Sequence, residues 1–210
     1  MPLAALITRI DALAASAPRV VIGIAGSPGS GKTTLATALV EQLGERAAHL
    51  PMDGFHLANR TLDGLGRRER KGAIDTFDGH GFVSLLERVR READHTIYAP
   101  SFRREVDEPV AGEIAIEPSA RVVIVEGNYL LAEQDPWIRV RGLLDEAWFC
   151  ETPADVRERR LVERHTAGGR SVEAATDFAR NVDGANAELI EQTVHRANLR
   201  VSGISWEGIS

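Results

Sequence analysis

The stretch RVVIGIA (Arg19–Ala25) runs directly into GSPGSGKT (Gly26–Thr33), and together these residues decide the fold. The first stretch is short, apolar and rich in Val and Ile, which predicts a buried strand. The second stretch matches the pattern G-x-x-x-x-G-K-S/T. Apolar residues then recur at helical spacing over Lys32–Leu43, which predicts a helix. A strand, a glycine-rich loop and a helix in this order predict a phosphate-binding loop.

Each part of this loop has a predicted contact with a nucleoside triphosphate, by default ATP. Glycines let successive backbone N–H groups point at one polyphosphate, and the positive end of the following helix attracts the same anion. Lys32 can reach the β- and γ-phosphates, and the Thr33 hydroxyl can ligate Mg²⁺. The predicted nucleotide-binding residues are Gly26, Ser27, Pro28, Gly29, Ser30, Gly31, Lys32, Thr33 and Thr34.

Short apolar runs alternate with helical segments along the rest of the chain. This alternation predicts one α/β domain over residues 1–210, with a mainly parallel sheet and helices on both faces. Residues 53–80 read as a long functional loop, and residues 96–116 as an excursion beside the main sheet. The other predicted strands are Ala47–Met52, Arg121–Val125, Glu146–Cys150 and Leu199–Val201; the other predicted helices are Phe82–Ala93, Trp137–Leu144, one capped by Thr152 and one running from Ser171 to about His195.

Composition excludes several classes of protein. The net charge of −6 argues against a sequence-independent hold on nucleic acid. No apolar run has the roughly 18 residues needed to span a bilayer, so no membrane partner is expected. The single Cys150 fits a reducing compartment, and the N-terminal segment does not read as a signal peptide, so cytoplasm is the predicted location.

Two carboxylates follow predicted strands beside the phosphate loop. Glu126 can hold Mg²⁺ through water or help order the attacking group, although an ordinary polar strand end is the alternative. Asp53 is the rival for the same role. The chain has no Asn-Lys-x-Asp motif of guanine-specific switches, because its two lysines precede Thr33 and Gly72. A small kinase is therefore favoured over a switch GTPase or a mechanical ATPase.

Five motifs together carry a family resemblance. GSPGSGKTT (26–34), PMDGFH (51–56), RKGAIDTFD (70–78), IYAPSFRREVDEP (97–109) and VVIVEGNYLL (122–131) resemble the uridine kinase, phosphoribulokinase and pantothenate kinase superfamily. Within it, the chain is most similar to bacterial nucleoside/nucleotide kinase family proteins, also named fructose transport system kinases. The resemblance implies a P-loop NTPase fold with three α/β/α layers, a five-stranded sheet in the order 2-3-1-4-5 and a small lid.

The resemblance also assigns residues to the acceptor side. It places Asp53 near the acceptor hydroxyl, where a carboxylate can orient the hydroxyl and accept its proton, or sit on the metal. A turn Asp is the alternative. His56 can hydrogen-bond substrate, or be a packed or solvated loop residue. Tyr98, Phe102 and Arg104 match a segment that lines the acceptor pocket in relatives, although core packing also explains the two aromatic residues.

A basic run, RRERK (67–71), lies in the long loop. It can hold an anionic substrate group or the transferring phosphoryl, or it is a solvated loop surface. The resemblance singles out Arg70 and Lys71, which fall in the family's R-K-G block. Asp75 and Asp78 can bind substrate hydroxyls, and Asp78 can equally cap the next helix.

The segment RERRLVERHTAGGR, from Arg157 to Arg170, resembles the mobile lid of phosphate-loop kinases, about 157–172. Arg157, Arg160 and Arg164 share one face of a predicted helix. Arginine suits a lid because its planar fork binds pairs of phosphate oxygens, and closure would exclude water. A charged, exposed helix face paired with neighbouring glutamates is the alternative.

The combined prediction is an ATP- and Mg²⁺-dependent kinase that transfers the γ-phosphoryl group to a hydroxyl of a small metabolite. The acceptor suggested by the resemblance is a sugar such as fructose, with a nucleoside or pantothenate as alternatives. The alternative from a different functional class is a P-loop ATPase or a regulatory nucleotide-binding module, which has no small acceptor. The oligomeric state is left open, with a homodimer as one option. The predicted catalytic residues are Lys32, Asp53, Glu126, Arg160, Arg164 and Arg170.

Overall fold

A computed structural model describes residues 1–204 of the chain. Within that range, five strands form an all-parallel sheet in the order β2-β5-β1-β6-β7. Numbered within this sheet alone, the order is 2-3-1-4-5. The predicted α/β fold with a parallel sheet is confirmed. The strands are β1 (Val20–Ala25), β2 (Ala47–Pro51), β3 (Ile97–Arg103), β4 (Glu108–Ile116), β5 (Val122–Gly127), β6 (Glu146–Glu151) and β7 (Leu199–Ser202).

Helices cover both faces of the parallel sheet. Successive residues of β1 point to opposite faces, so Val21 packs in one core cluster and Ile22 in the other. The cluster around Ile22 includes α1 and α2, and the cluster around Val21 includes α4. The α-helices are α1 (Leu3–Ala14), α2 (Lys32–Leu43), α3 (Asn59–Gly64), α4 (Gly79–Arg91), α5 (Ala154–Ala167), α6 (Val172–Phe178) and α7 (Gly184–Glu191), and a π-helical segment, Ala179–Asp183, joins the last two.

Two predictions about the connections between these elements are confirmed. Residues 96–116 form an excursion, since β3 and β4 pair with each other as an antiparallel hairpin outside the main sheet. Ser171 caps α6, where its side chain accepts a hydrogen bond from the Ala174 N–H. Within residues 1–204, no helix combines the length and the apolar character that crossing a membrane requires.

Two local predictions are wrong. Thr152 does not cap α5, because its hydroxyl donates instead to the Ser30 carbonyl oxygen at 2.9 Å and so ties β6 to the phosphate loop. Residues 53–80 are not one irregular loop, since α3 and three short 3₁₀ turns lie within them. The predicted helix at Trp137–Leu144 is confirmed as the 3₁₀-helix Trp137–Leu143.

Candidate functional site

One large cavity opens at the carboxyl ends of the parallel strands, where ligands bind in folds of this kind. Its volume is about 690 Å³. The walls come from the glycine-rich loop after β1, the turns after β2 and β5, the tip of the β3–β4 hairpin, and the segment from α5 to the π-helix. Seven basic and four acidic side chains line the cavity, although the whole chain carries a net charge of −6.

The glycine-rich loop has the conformation that its sequence predicts. Gly29 and Gly31 have φ values of +75° and +91°, a region that favours glycine. A Cβ on Gly31 would lie 2.8 Å from the carbonyl oxygen of Gly203, so this position also lacks the space for a side chain. Of the predicted loop residues, Pro28, Gly29, Gly31, Lys32, Thr33 and Thr34 line the cavity, and Gly26, Ser27 and Ser30 are buried beneath it.

Lys32 is buried at the nucleotide end of the cavity. Its ammonium group donates to the Ser27 carbonyl oxygen at 3.2 Å and to Asn128 Oδ1 at 2.8 Å. Burial lowers the pKa of Lys32, and the negative charges of Glu126 and Asp53 partly oppose that shift. The side chain is therefore held at the loop by weak neutral acceptors, which a polyphosphate can replace.

Two carboxylates meet beside Lys32. Glu126, at the end of β5, accepts a hydrogen bond from the Thr33 hydroxyl at 3.1 Å. Burial, and then the nearby charge of Asp53, raise the pKa of Glu126 to about 7. Asp53 lies in the 3₁₀ turn that follows β2 and is half-buried on the cavity wall. Two acidic groups crowded together in this way favour a cation between them.

These oxygen atoms suit Mg²⁺. Within the described chain, no group of three or more His, Cys, Asp or Glu side chains is arranged to hold a metal ion by itself. Mg²⁺ ordinarily takes only one or two protein oxygens and completes its shell with phosphates and water. Thr33 Oγ1 and Glu126 Oε1, next to the phosphate loop, supply that number of ligands.

The opposite end of the cavity is lined by aromatic rings. The imidazole of His56 stacks on Phe77 with a centroid distance of 4.0 Å and lies 4.8 Å from the ring of Phe102. Burial lowers the pKa of His56, so the ring is neutral at physiological pH. Its Nδ1 atom is buried without a hydrogen-bond partner in the described chain, and its Nε2 atom lies 3.9 Å from Asp53 Oδ1. This end can bind a small molecule with an apolar face and at least one hydrogen-bonding group.

The predicted lid arginines form the third wall. Arg160 donates to the carbonyl oxygens of Gly29 at 3.1 Å and Gly203 at 3.3 Å, so α5 is fastened to the phosphate loop. Arg164 lines the cavity, and so does Arg170, whose guanidinium lies 4.1 Å from the Phe178 ring centroid. The structure therefore brings all three arginines to the cavity.

Three predicted substrate-binding residues lie outside the cavity. Arg70 is on the surface and is paired with both oxygens of Asp75 at 2.5 Å. Tyr98 is 63% exposed, because alternate residues of β3 face away from the core. Asp78 caps α4, where its Oδ1 accepts a hydrogen bond from the Gly81 N–H at 2.8 Å. Helix capping, the second interpretation of Asp78, is the one that the structure bears out.

The structure adds several residues to the predicted site. Asn128 lies within the EGNYLL motif, so its contact with Lys32 has a sequence signal. His165 and Asp183 also line the cavity, with His165 Nε2 and Asp183 Oδ2 2.7 Å apart. Eighteen residues separate these two along the chain, and a π-helical turn places Asp183, so no local pattern predicts the pair.

Comparison with known proteins supports a single family. The model of the phosphoribulokinase / uridine kinase family matches residues 21–210. A Schizosaccharomyces pombe protein named "Putative uridine kinase C227.14" is 35% identical over 187 residues, which cover 84% of this chain and 80% of that protein. A uridine kinase of Halobacterium salinarum is 30% identical over 191 residues, which cover 87% and 79%. The crystal structure of a "putative fructose transport system kinase" from Silicibacter sp. TM1040 superposes with a TM-score of 0.86 at 38% identity, over 96% of this chain and 99% of that one.

Proposed function

Because the chain belongs to the phosphoribulokinase / uridine kinase family, whose members transfer a phosphoryl group to a hydroxyl acceptor, we propose that it uses Mg·ATP to phosphorylate a small sugar-like metabolite. One observation carries the proposal most directly. Lys32 of the phosphate loop and Asp53 of the DGFH block line the same cavity, and the charges of both act on Glu126. The residues proposed for the donor site and for the acceptor base therefore line one cavity.

Each residue has a role in phosphoryl transfer. The loop amides and Lys32 hold the polyphosphate, and Thr33 and Glu126 hold Mg²⁺, which neutralises charge on the phosphates when it is bound. Asp53 orients the acceptor hydroxyl and accepts its proton as the phosphoryl group leaves the nucleotide. Arg160, Arg164 and Arg170 stabilise the negative charge of the transition state from the lid side.

The sugar-like acceptor is favoured by the similarity over nearly the whole chain to the protein named as a fructose transport system kinase. A nucleoside is the second candidate, because the rings of His56, Phe77 and Phe102 could stack on a base. Uridine kinases among the relatives give this candidate comparable support.

A screen for ADP release tests the proposal. Purified protein with Mg·ATP is offered sugars, nucleosides and pantothenate one at a time, with the Lys32→Ala variant as the blank. At least one acceptor should increase ADP release, and its phosphorylated product should be found by mass spectrometry. ATP hydrolysis that no acceptor changes would instead support the nucleotide-binding module without an acceptor.

The acceptor base has its own test. Asp53→Asn should lower turnover by about 10²–10⁴-fold, because an amide cannot accept the hydroxyl proton, while nucleotide affinity is kept. Asp63→Asn is the matched control, since Asp63 lies on α3 and does not line the cavity. Full activity in Asp53→Asn would remove this residue from the mechanism.

A further inference from the structure

One arginine that lines the cavity makes no ion pair within residues 1–204. Arg104 follows directly on β3 and lines the cavity, and its side chain forms no hydrogen bond or ion pair with a described residue. The neighbouring Arg103 does not line the cavity, and its Nε donates to Glu113 Oε1 at 2.6 Å. An unpaired arginine facing a cavity is available to a ligand in a way that its paired neighbour is not.

The turn that carries Arg104 is fixed by Lys71. The Lys71 ammonium donates to Asn59 Oδ1 at 2.6 Å and to the Asp107 carbonyl oxygen at 2.5 Å, and it lies 3.1 Å from Asp107 Oδ2. Its three protons therefore all have acceptors within the protein. Lys71 lines the cavity, where the sequence predicts a substrate-binding residue, and its contacts in this structure also position the hairpin turn.

Further contacts hold the same turn. Arg68 pairs with Asp107 at 3.3 Å, and the Asn59 amide donates to the Asp107 carbonyl oxygen at 3.0 Å. The Asp107 N–H in turn donates to the carbonyl oxygen of Arg104 at 3.3 Å. The backbone of Arg104 is thus anchored while its guanidinium group is left without a partner. Fixing the backbone in advance lowers the entropy cost of binding a ligand at the side chain.

A second unpaired guanidinium lies nearby. Arg164 of α5 makes no hydrogen bond or ion pair among residues 1–204. Burial, and then the positive charge of Arg104, lower the pKa of Arg164, and the charges of nearby carboxylates, Asp183 first, partly oppose that shift. Two like charges that face one cavity repel each other until an anion lies between them. The phosphoryl group in transfer can be the anionic partner of Arg164, which belongs to the lid. Arg104 instead follows directly on β3, the strand that carries Phe102, and its charge acts on Glu126 as well as on Arg164.

We propose that Arg104 binds a phosphate or carboxylate group of the acceptor itself, so that the enzyme phosphorylates an anionic metabolite rather than a neutral sugar or nucleoside. The inference rests on the proposed kinase function. The planar guanidinium can bind two oxygens of either group at once. His56 and Phe102 line the same cavity as Arg104.

A binding experiment tests the anion site without requiring turnover. The protein is first saturated with Mg·AMP-PNP, which fills the positions of all three nucleotide phosphates, and is then titrated calorimetrically with inorganic phosphate. Wild type and Arg103→Gln should bind phosphate, and Arg104→Gln should bind it at least about tenfold more weakly, because one charge-assisted contact is lost. Unfolding curves of the two variants check that both remain folded.

Three results would overturn the inference while leaving the kinase function intact. These are phosphate binding that is equal in Arg104→Gln and wild type, no binding of phosphate or, in a parallel titration, of acetate to the wild-type complex, and a loss of AMP-PNP affinity relative to ADP in Arg104→Gln. The last would show that Arg104 contacts the γ-phosphate. A wild-type protein that binds no Mg·AMP-PNP at all would instead overturn the proposed function, and this inference with it.

Matched acceptors provide the kinetic test. Glycerate is compared with glycerol, ribose 5-phosphate with ribose, and pantothenate with panthenol, so that each pair differs in one anionic group. The charged member of at least one pair should have a kcat/KM at least about tenfold higher, and Arg104→Gln should remove that difference by raising the acceptor KM. Turnover restricted to neutral members would contradict the inference. The two arms with phosphate and carboxylate groups also tell which anion the site prefers.

Discussion

The chain contains two lysines, and each lies at one end of the cavity. At the nucleotide end, Lys32 belongs to a contiguous loop and contacts the backbone of Ser27, five residues away, with Asn128 as its one distant side-chain partner among the described residues. At the acceptor end, Lys71 joins segments that are 12 and 36 residues away along the chain. The nucleotide end is therefore built mainly from backbone in one local motif, and the acceptor end from side chains that only the tertiary fold brings together.

Replacing the two lysines separately is the sharpest test of this comparison. Lys32→Ala should lower kcat by about 10³-fold or more, because a charge that acts on the transferring phosphoryl is removed. Lys71→Ala should instead raise the acceptor KM by about tenfold and leave the KM for ATP unchanged, because it loosens the turn that carries Arg104. Steady-state kinetics with an acceptor from the screen measures both effects. The comparison fails if both variants change the same parameter.

The backbone character of the nucleotide end can be tested with two glycines. Gly31 and Gly66 both have positive φ values, +91° and +63°, so alanine is strained at either position. Only at Gly31 would the added Cβ meet a backbone oxygen, that of Gly203 at 2.8 Å, whereas nothing lies within 4 Å at Gly66.

Gly31→Ala should therefore weaken Mg·AMP-PNP binding by about 10- to 100-fold, since strain of this kind costs about 1–3 kcal/mol. Gly66→Ala should lose stability only, with unchanged nucleotide affinity. Calorimetric titration measures the affinities, and denaturant unfolding measures the free energies of unfolding. Equal nucleotide affinities in the two variants would show that the loop backbone tolerates the change.

The same contrast decides how much of the site the sequence could predict. The loop from Gly26 to Thr34 could be predicted from one continuous stretch of sequence, because the motif fixes its local backbone conformation. The RRERK run could not be resolved in this way. Arg70 of this run forms an ion pair at the surface, whereas Arg68 and Lys71 line the cavity. Short 3₁₀ turns determine which of these side chains face the cavity.

The fold was predictable for a related reason. Strands β1 and β5 are buried along their whole length and read as continuous apolar runs. The role of Thr152 was not predictable, because a hydroxyl before a helix usually caps that helix, and only the proximity of β6 to the phosphate loop offers it the Ser30 carbonyl. Local sequence patterns therefore predict the strands and helices, whereas contacts between distant segments determine the role of a residue such as Thr152.

The raised pKa of Glu126 gives a test that depends on pH. In the nucleotide-free protein its pKa of about 7 exceeds the ordinary value of 4.5, so the folded state holds the proton more tightly than the unfolded state does. This preference favours folding below the ordinary pKa and is lost as the pH rises through about 7. Glu126→Gln should therefore gain stability relative to wild type on going from pH 5 to pH 8, by on the order of 1–3 kcal/mol.

Denaturant unfolding of both proteins at the two pH values measures this difference, and groups common to both cancel. Mg·AMP-PNP should reverse the order at pH 8, because a bound cation favours the carboxylate and the amide cannot replace it. A stability difference that does not change between the two pH values would mean that Glu126 titrates normally. The acidic pair at the nucleotide end would then be less crowded than the structure indicates.

The smallest expected effect separates capping from substrate binding at Asp78. Its side chain accepts the Gly81 N–H at the start of α4, so Asp78→Ala should lower the free energy of unfolding by about 1 kcal/mol, the usual cost of a lost cap. Asp78→Asn keeps an oxygen acceptor and should retain most of that stability. Both variants should keep the wild-type acceptor KM, because the side chain does not line the cavity. A higher KM in Asp78→Asn with unchanged stability would instead place Asp78 in the acceptor site and extend that site beyond the walls seen in the structure.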